Sequence, residues 1–339
     1  MKRRSLLAAA AASCASGGVS FNAFAQQRVT FTPYAIRPDV LDWARSFASI
    51  YGGTTDEVMA ILSQAQSNDT VIRLMQPAPV GFKRSWRVYR SRFVEPIRIK
   101  AGLKFWENYA KALQRAEAQT GVSAQAIVGI LGVETIFGRQ MGDFRVLDAL
   151  MTLSFDYLRR AEFFRSELES FLLLTRESGA ASTEVLGSFA GAIGIPQFMP
   201  SSIRKHAVDF DADKLIDLRN SPIDAIGSVA QYLADYGWEK GLPISVRAKV
   251  APDAPVQELL DRGPQANLTL EELNARGISV IDPVGDDKKL LLVDLVTHNQ
   301  GTEFRVGTAN FYAITRYNKS FFYAAAVQDL GAAIAMAKQ

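Results

Sequence analysis

Residues 123–138 read Ser-Ala-Gln-Ala-Ile-Val-Gly-Ile-Leu-Gly-Val-Glu-Thr-Ile-Phe-Gly, an apolar run whose only carboxylate is Glu134. Ser123 is a favourable N-cap residue, and Gly138 is a favourable residue at which a helix stops. The pattern therefore predicts a helix between them. On that helix Glu134 shares a face with the apolar residues at positions 127, 130 and 131.

A carboxylate at the end of an apolar helix face costs free energy unless it is paired or protonated. Loss of solvent raises the pKa of such a group, which suits a general acid that works near neutral pH. The same pattern also fits an ordinary helix-end glutamate whose side chain reaches water. The local sequence leaves both interpretations open.

The N-terminus carries Lys2, Arg3 and Arg4, then an apolar run from 6 to 19, then Ala-Phe-Ala at 23–25. This order is typical of a secretory signal peptide, and it predicts removal of residues 1–25 and a periplasmic protein. The apolar run is shorter than the roughly 20 residues of a membrane span. A buried N-terminal helix is the alternative.

Two details leave the export route open. The pair Arg3-Arg4 resembles a twin-arginine signal. Cys14 follows Ala-Ala-Ser and resembles a lipoprotein cleavage site, which would make the protein an outer-membrane lipoprotein.

Charge and composition exclude several functions. The chain has a formal charge of +3, and segment 1–25 holds three basic and no acidic residues, so the mature charge is 3 − 3 = 0. A neutral exported protein has no electrostatic footprint for nucleic acid. Cys14 is the only cysteine, so disulfides do not hold the fold. His206 and His298 are the only histidines, which disfavours a transition-metal site.

The periodicity of the chain predicts a mainly α fold of the α+β class. Helical spacing extends over 37–118 and 122–236, with a break at 187–197. After Gly241 the texture changes: residues 244–250 alternate as a half-buried strand does, and short strands follow at 278–281, 290–296 and 303–307. An Ala-rich and aromatic helix, 320–337, closes the chain.

Several long motifs occur in a fixed order. Residues 132–139 read GVETIFGR and residues 187–202 read GSFAGAIGIPQFMPSS, with further motifs at 153–157, 224–232 and 314–318. Together they resemble the lytic murein transglycosylase B family, from about Arg28 to the C-terminus. The resemblance implies a helical flanking domain (26–120), a lysozyme-like catalytic core (121–241), a small β-rich inserted domain (242–312) and a C-terminal helix (313–339) that packs back on the helical part.

The resemblance also implies site residues. The family's catalytic acid/base falls on Glu134. Its substrate-groove residues fall on Tyr89, Ser188, Gln197, Tyr232, Asn318 and Tyr323. From the residues alone, the favoured interpretation is that the tyrosines are half-buried aromatics and that Ser188 and Gln197 are turn residues. The expected partner is the glycan strand of peptidoglycan, bound by a monomer; membership of a cell-wall synthesis or division complex stays open.

A count of carboxylates suggests the reaction. Ordinary glycosidases use two, whereas the family pattern supplies only Glu134. The downstream carboxylates fit a solvated or paired helix surface: Asp148, Asp156, Glu162, Glu167 and Glu169. One carboxyl suffices if the muramoyl 6-hydroxyl is the nucleophile, which predicts a 1,6-anhydro product and no cofactor for the chemistry. An inert glycan-binding scaffold and a lysozyme-type hydrolase are the alternatives.

An acidic loop offers a candidate calcium site. Asp209, Asp211 and Asp213 stand at positions 1, 3 and 5 of an EF-hand pattern, and the carbonyl of Leu215 stands at position 7. Lys214 replaces the usual glycine, and Asn220 replaces the closing glutamate. Some members of the family bind calcium here and close the loop with an aspartate that matches Asp224, although this chain has one extra residue before it. A structural calcium and a solvated acidic loop both stay open.

Overall fold

Helices form most of the chain that the computed structural model describes, which is residues 32–77, 79, 81 and 83–339. A short 3-10 helix, Tyr34–Ile36, comes first. The α-helices are α1 Pro38–Tyr51, α2 Thr55–Leu62, α3 Asp69–Leu74, α4 Trp86–Ser91, α5 Pro96–Asn108, α6 Ala110–Thr120, α7 Ala124–Thr135, α8 Val146–Phe155, α9 Ala161–Ser178, α10 Pro200–His206, α11 Pro222–Asp235, α12 Val256–Asp261, α13 Leu270–Ala275, α14 Ala309–Tyr317 and α15 Phe321–Lys338.

Helices α7 and α15 pack against each other at the centre of the main core. A Cβ atom at Gly129 would lie 2.4 Å from the carbonyl oxygen of Val327, and one at Gly331 would lie 2.3 Å from that of Gln125. No side chain fits at either place, so the two backbones touch directly. This close approach holds the C-terminal end of α7 beside the N-terminal end of α15.

The strands form two antiparallel sheets. Strands β1 (Phe144–Arg145) and β2 (Leu186–Gly187) make a small pair. The larger sheet has the order β4-β3-β6-β5, from β3 Ser245–Val250, β4 Ile278–Val280, β5 Leu291–Thr297 and β6 Gly301–Gly307. The strands predicted after Gly241 are thus all present.

The larger sheet separates two hydrophobic cores. Along β5, Leu291, Val293 and Leu295 pack into the main core, while Leu292 packs into a second cluster that lies wholly within residues 246–306. Successive strand residues point to opposite faces, which explains the division. The second cluster falls inside the predicted β-rich unit (242–312), although the four-part division of the chain stays a prediction.

The predicted fold class is confirmed as mainly α with small sheets. Residues 33–339 form one compact unit. The predicted signal peptide, with Cys14, lies outside the described residues. Within the described part of the chain no single helix is long and apolar enough to cross a membrane; α14 and α15 pass that test only as a pair, which is bent by 109°.

Candidate active site

Glu134 is the penultimate residue of α7. The helix begins as expected at Ser123, whose side chain accepts a hydrogen bond from the amide of Ala126 at 3.3 Å. It ends earlier than expected. Ile136 and Phe137 already have left-handed φ values of 52° and 57°, before Gly138 at 88°. Two non-glycine residues in this conformation store backbone strain of the kind that clusters at functional sites.

Thr135 holds this strained end in place. Its buried hydroxyl donates to the carbonyl of Ile195 at 2.8 Å and accepts from the amide of Gly138 at 2.9 Å. Ile195 in turn donates its amide to the carbonyl of Leu218 at 2.7 Å. Glu134 is therefore positioned by a neighbour that ties α7 to the loop 187–198. Thr135 was not predicted as a site residue, although it stands in the motif 132–139.

The surroundings of Glu134 make it a weaker acid than an ordinary glutamate. Desolvation by burial raises its pKa from 4.5 to about 7, and a hydrogen bond from Tyr323 partly offsets that rise. The phenol of Tyr323 donates to Oε1 of Glu134 at 2.5 Å. A carboxyl with this pKa exists in both protonation states near neutral pH, so it can donate and later accept a proton.

Three tyrosines lie near the carboxyl, and a fourth, Tyr232, packs against one of them, Tyr317. Burial raises the pKa of the Tyr89, Tyr317 and Tyr323 phenols, and the negative charge of Glu134 raises it further. Tyr317 stacks on Tyr323 with the ring centres 6.3 Å apart, and Tyr232 lies 4.8 Å from Tyr317. Three of these were expected. Tyr317 was missed, although it precedes Asn318 in the motif 314–318.

The loop 187–198 is shaped by glycines. Gly191 and Gly194 have φ values of 87° and 76°, and a Cβ at Gly194 would lie 2.5 Å from the carbonyl oxygen of Leu218. The hydroxyl of Ser188 accepts from the amide of Ala192 at 3.0 Å. The side-chain amide of Gln197 donates to the carbonyls of Gly194 and Met141 at 2.9 and 3.1 Å. Both side chains therefore support turns, and their contact with a ligand stays a prediction.

A cavity of about 500 Å³ opens beside Tyr89. It is lined by Lys83, Arg84, Ser85, Val88, Tyr89, Arg92, Asn318, Ser320 and Phe322. The ring of Tyr89 is held by Phe93 at 5.0 Å and Phe322 at 5.6 Å. Asn318 and Tyr89, far apart in sequence, thus border one space.

Among the described residues, burial and the hydrogen bond from Tyr323 are the causes of the shifted pKa of Glu134, and no other carboxylate contributes to that shift. Asp156 accepts from Tyr34 at 2.5 Å and Ser67 at 2.6 Å. Glu167 accepts from the amide and hydroxyl of Ser201 at 3.0 and 2.7 Å. The expectation of surface charges was wrong for Glu167, which is buried because it satisfies the first turn of α10.

The acidic loop brings three carboxylates together. Oxygens of Asp209, Asp211 and Asp213 lie within 4.8 Å of one another. Lys214 adopts the left-handed turn, with φ of 78°, that glycine usually makes in such a loop. Asp224 lies outside this cluster and accepts hydrogen bonds from the amides of Phe210 and Asp217 at 2.7 and 2.9 Å. The carboxylate oxygens of Asp209, Asp211 and Asp213 are hard ligands, which suit calcium.

The helical core and the half-buried helix-end glutamate are those of a known class of protein: residues 37–332 match the transglycosylase SLT domain. The chain belongs to that family. It is 42% identical, over 90% of this chain and 85% of the relative, to membrane-bound lytic murein transglycosylase B of Escherichia coli.

Solved structures agree with this family. Lytic transglycosylase SltB1 from Pseudomonas aeruginosa has a TM-score of 0.84 at 42% identity and covers 90% of this chain and 100% of its own. Escherichia coli Slt35 in complex with calcium has a TM-score of 0.81 at 42% identity and covers 90% and 95%. A more distant relative, SltB3 from Pseudomonas aeruginosa, was solved with NAG-NAM-pentapeptide at 28% identity and a TM-score of 0.75, over 89% and 80%.

Proposed function

We propose that this chain is a lytic transglycosylase that cleaves the β-1,4 bond between N-acetylmuramic acid and N-acetylglucosamine in peptidoglycan. The observation that carries the proposal is one half-buried carboxyl, Glu134, whose pKa is raised to about 7 and whose hydrogen-bond partner among the described residues is the phenol of Tyr323. Family membership supports the substrate, because the Escherichia coli relative is named for murein.

One carboxyl performs both proton transfers. Protonated Glu134 donates to the glycosidic oxygen, and the bond from that oxygen to C1 of the muramoyl ring breaks. The resulting carboxylate takes the proton of the muramoyl 6-hydroxyl while that oxygen attacks C1. The products are a 1,6-anhydromuramoyl end and a free 4-hydroxyl on N-acetylglucosamine, and Glu134 is protonated again. No water is consumed.

The groove side chains have separate roles in this proposal. Tyr323 fixes the carboxyl through its hydrogen bond to Oε1. Tyr89 presents an aromatic face suited to a sugar ring, whereas Tyr232 is buried against Tyr317 and supports the groove from within. Ser188, Gln197 and Asn318 supply polar contacts at the edges of the groove. The stacked Tyr317 supports Tyr323 and anchors itself by donating its phenol to the carbonyl of Pro196.

The test is mass spectrometry of the muropeptides released from purified sacculi. Anhydro-ended fragments support the proposal. Reducing ends would identify the lysozyme-type hydrolase instead, and binding without release would identify an inert scaffold. The Glu134→Gln variant is the matched control for contaminating activities.

We also propose that the acidic loop binds a structural calcium ion. Asp209, Asp211 and Asp213, with the carbonyl of Leu215, hold a structural calcium, and Asp224 supports the loop from behind. The support is the hard oxygen cluster and the calcium complex of the Slt35 relative.

The proposed location is the cell envelope, where the membrane-bound relative acts. Residues 1–25 direct export, and Cys14 is the candidate lipid anchor.

A further inference from the structure

We propose that the cavity beside Tyr89, lined by Arg84 and Arg92, binds the free carboxylates of the peptide stem that hangs from the muramoyl residue. We call it the stem cavity. This inference rests on the proposed function and adds a second recognition element to it, specific for the charged part of the substrate.

The stem cavity is cationic. Lys83, Arg84 and Arg92 line it, and no aspartate or glutamate does so within the described part of the chain. None of these three cations forms an ion pair with a described residue. Their neighbours differ: Arg90, on the same helix as Tyr89, pairs with Asp329 at 2.6 Å, and Arg98 pairs with Glu95 at 3.4 Å. The stem cavity therefore concentrates unpaired positive charge in a chain whose other arginines are often paired.

The stem cavity borders the candidate catalytic centre. Phe322 lines it, and the next residue, Tyr323, donates to Glu134. Tyr89 also lines it, and the charges of Glu134 on one side and of Arg92 and Arg84 on the other act on its phenol. A ligand in this space would lie next to the sugar whose bond is cleaved.

The chemistry of peptidoglycan identifies the anion. Its sugars are neutral once the lactyl group of the muramoyl residue is joined to a peptide. The negative charge of the strand then resides on the free carboxylates of the stem, a peptide that starts one lactyl group away from the ring. Guanidinium groups bind carboxylates with two parallel hydrogen bonds. Asn318 and Ser320 add neutral partners for the peptide amides.

The experiment compares two versions of one substrate. Soluble glycan strands with free stem carboxylates are compared with the same strands after carbodiimide coupling to ammonia, which converts those carboxylates to amides. We expect the wild-type chain to cleave the free-acid strands with a kcat/KM about fivefold higher, as two partly exposed charge pairs would produce. The double variant Arg84→Gln/Arg92→Gln should lose this discrimination, mainly through KM.

The matched control is Arg87→Gln. Arg87 lies on α4 but outside the stem cavity, where it donates to Gln300 at 3.1 Å, and its loss removes one positive charge from the same surface. This variant should discriminate as the wild type does. Equal cleavage of both strands by the wild type, or undiminished discrimination by the double variant, overturns the inference. If the wild type makes no anhydro ends from either strand, the proposed function fails instead.

Discussion

The phenol of Tyr323 donates a hydrogen bond of 2.5 Å to Glu134, a residue 189 positions earlier in the chain. The bond stabilises the ionised carboxyl, and burial of the same group stabilises the protonated one. The balance sets a pKa of about 7. The pKa of the proposed catalytic acid is therefore set by two helices together, α7 and α15.

Replacement of the acid tests its role directly. We expect Glu134→Gln to lower the rate of anhydro-muropeptide release by about 10²- to 10⁴-fold, because the amide cannot transfer the proton. Turbidity clearing of sacculi measures the rate, and thermal unfolding checks the fold. Glu162→Gln, an exposed glutamate on α9, is the control and should remain active. Normal clearing by Glu134→Gln would rule out the assignment.

The same substitution should stabilise the protein at high pH. The pKa of Glu134 is about 7 in the folded chain and near 4.5 in the unfolded chain. The folded state therefore binds more protons between these values, and the stability that the protonated carboxyl contributes is present below pH 4.5 and lost as pH rises through 7. Glu134→Gln has no such loss. Its free energy of unfolding should exceed that of the wild type by about 3 kcal/mol at pH 8, measured by urea titration. An equal difference at pH 4 would contradict this.

Removal of the phenol should change the pH profile. In Tyr323→Phe the bond that lowers the pKa of Glu134 is absent. Glu134 must be protonated to start the reaction, so the alkaline limb of kcat/KM should move to higher pH. The rate should fall about tenfold, since a hydrogen bond to a charged group is lost. Tyr109→Phe, at the residue that precedes α6, serves as the control. If the alkaline limb moves to lower pH instead, the hydrogen bond from Tyr323 does not lower the pKa of Glu134.

The contact between α7 and α15 should tolerate no added methyl group. A Cβ at Gly331 would overlap the carbonyl oxygen of Gln125 at 2.3 Å. We expect Gly331→Ala to cost about 2 kcal/mol of stability and to reduce activity further, because Tyr323 moves with its helix. Ala337→Val adds bulk to an exposed position of α15 and should change neither quantity. Full activity of Gly331→Ala at its normal unfolding temperature would refute the coupling.

Calcium should stabilise the acidic loop. At a calcium concentration 100 times Kd, the stabilisation is about 2.7 kcal/mol, which raises the unfolding temperature by about 5 °C. Chelation should remove this gain, and Asp211→Asn should abolish it. Asp253→Asn, in the β-rich part, should respond to calcium as the wild type does. If the unfolding temperature of the wild type is the same with and without calcium, the site is excluded.

Local signals in the sequence were sufficient for much of the fold. Ser123 caps α7 because its hydroxyl is suited to a free helix amide, and the alternation after Gly241 predicts the strands because it has the period of a sheet. The end of α7 that was predicted from Gly138 was less accurate. The helix stops earlier, since the bonds of Thr135 to a distant loop hold Ile136 and Phe137 in left-handed conformations.

The candidate site was less accessible from local signals. Glu134 alone was ambiguous, because its partner Tyr323 lies on another helix and only packing brings them together. Tyr317 was not predicted for the same reason: the residues next to it in the sequence give no sign that its ring stacks on Tyr323. Glu167 was misjudged as a surface charge because the helix end that it satisfies comes later in the chain.

The position of α15 at the end of the chain has a consequence for biosynthesis. A growing polypeptide that has not yet delivered residues 321–338 leaves Glu134 without Tyr323 and open to water. Its pKa then returns toward 4.5, so at neutral pH the group is ionised and has no proton to give. Packing of the last helix against α7 is therefore what lets the proposed acid keep its proton near neutral pH.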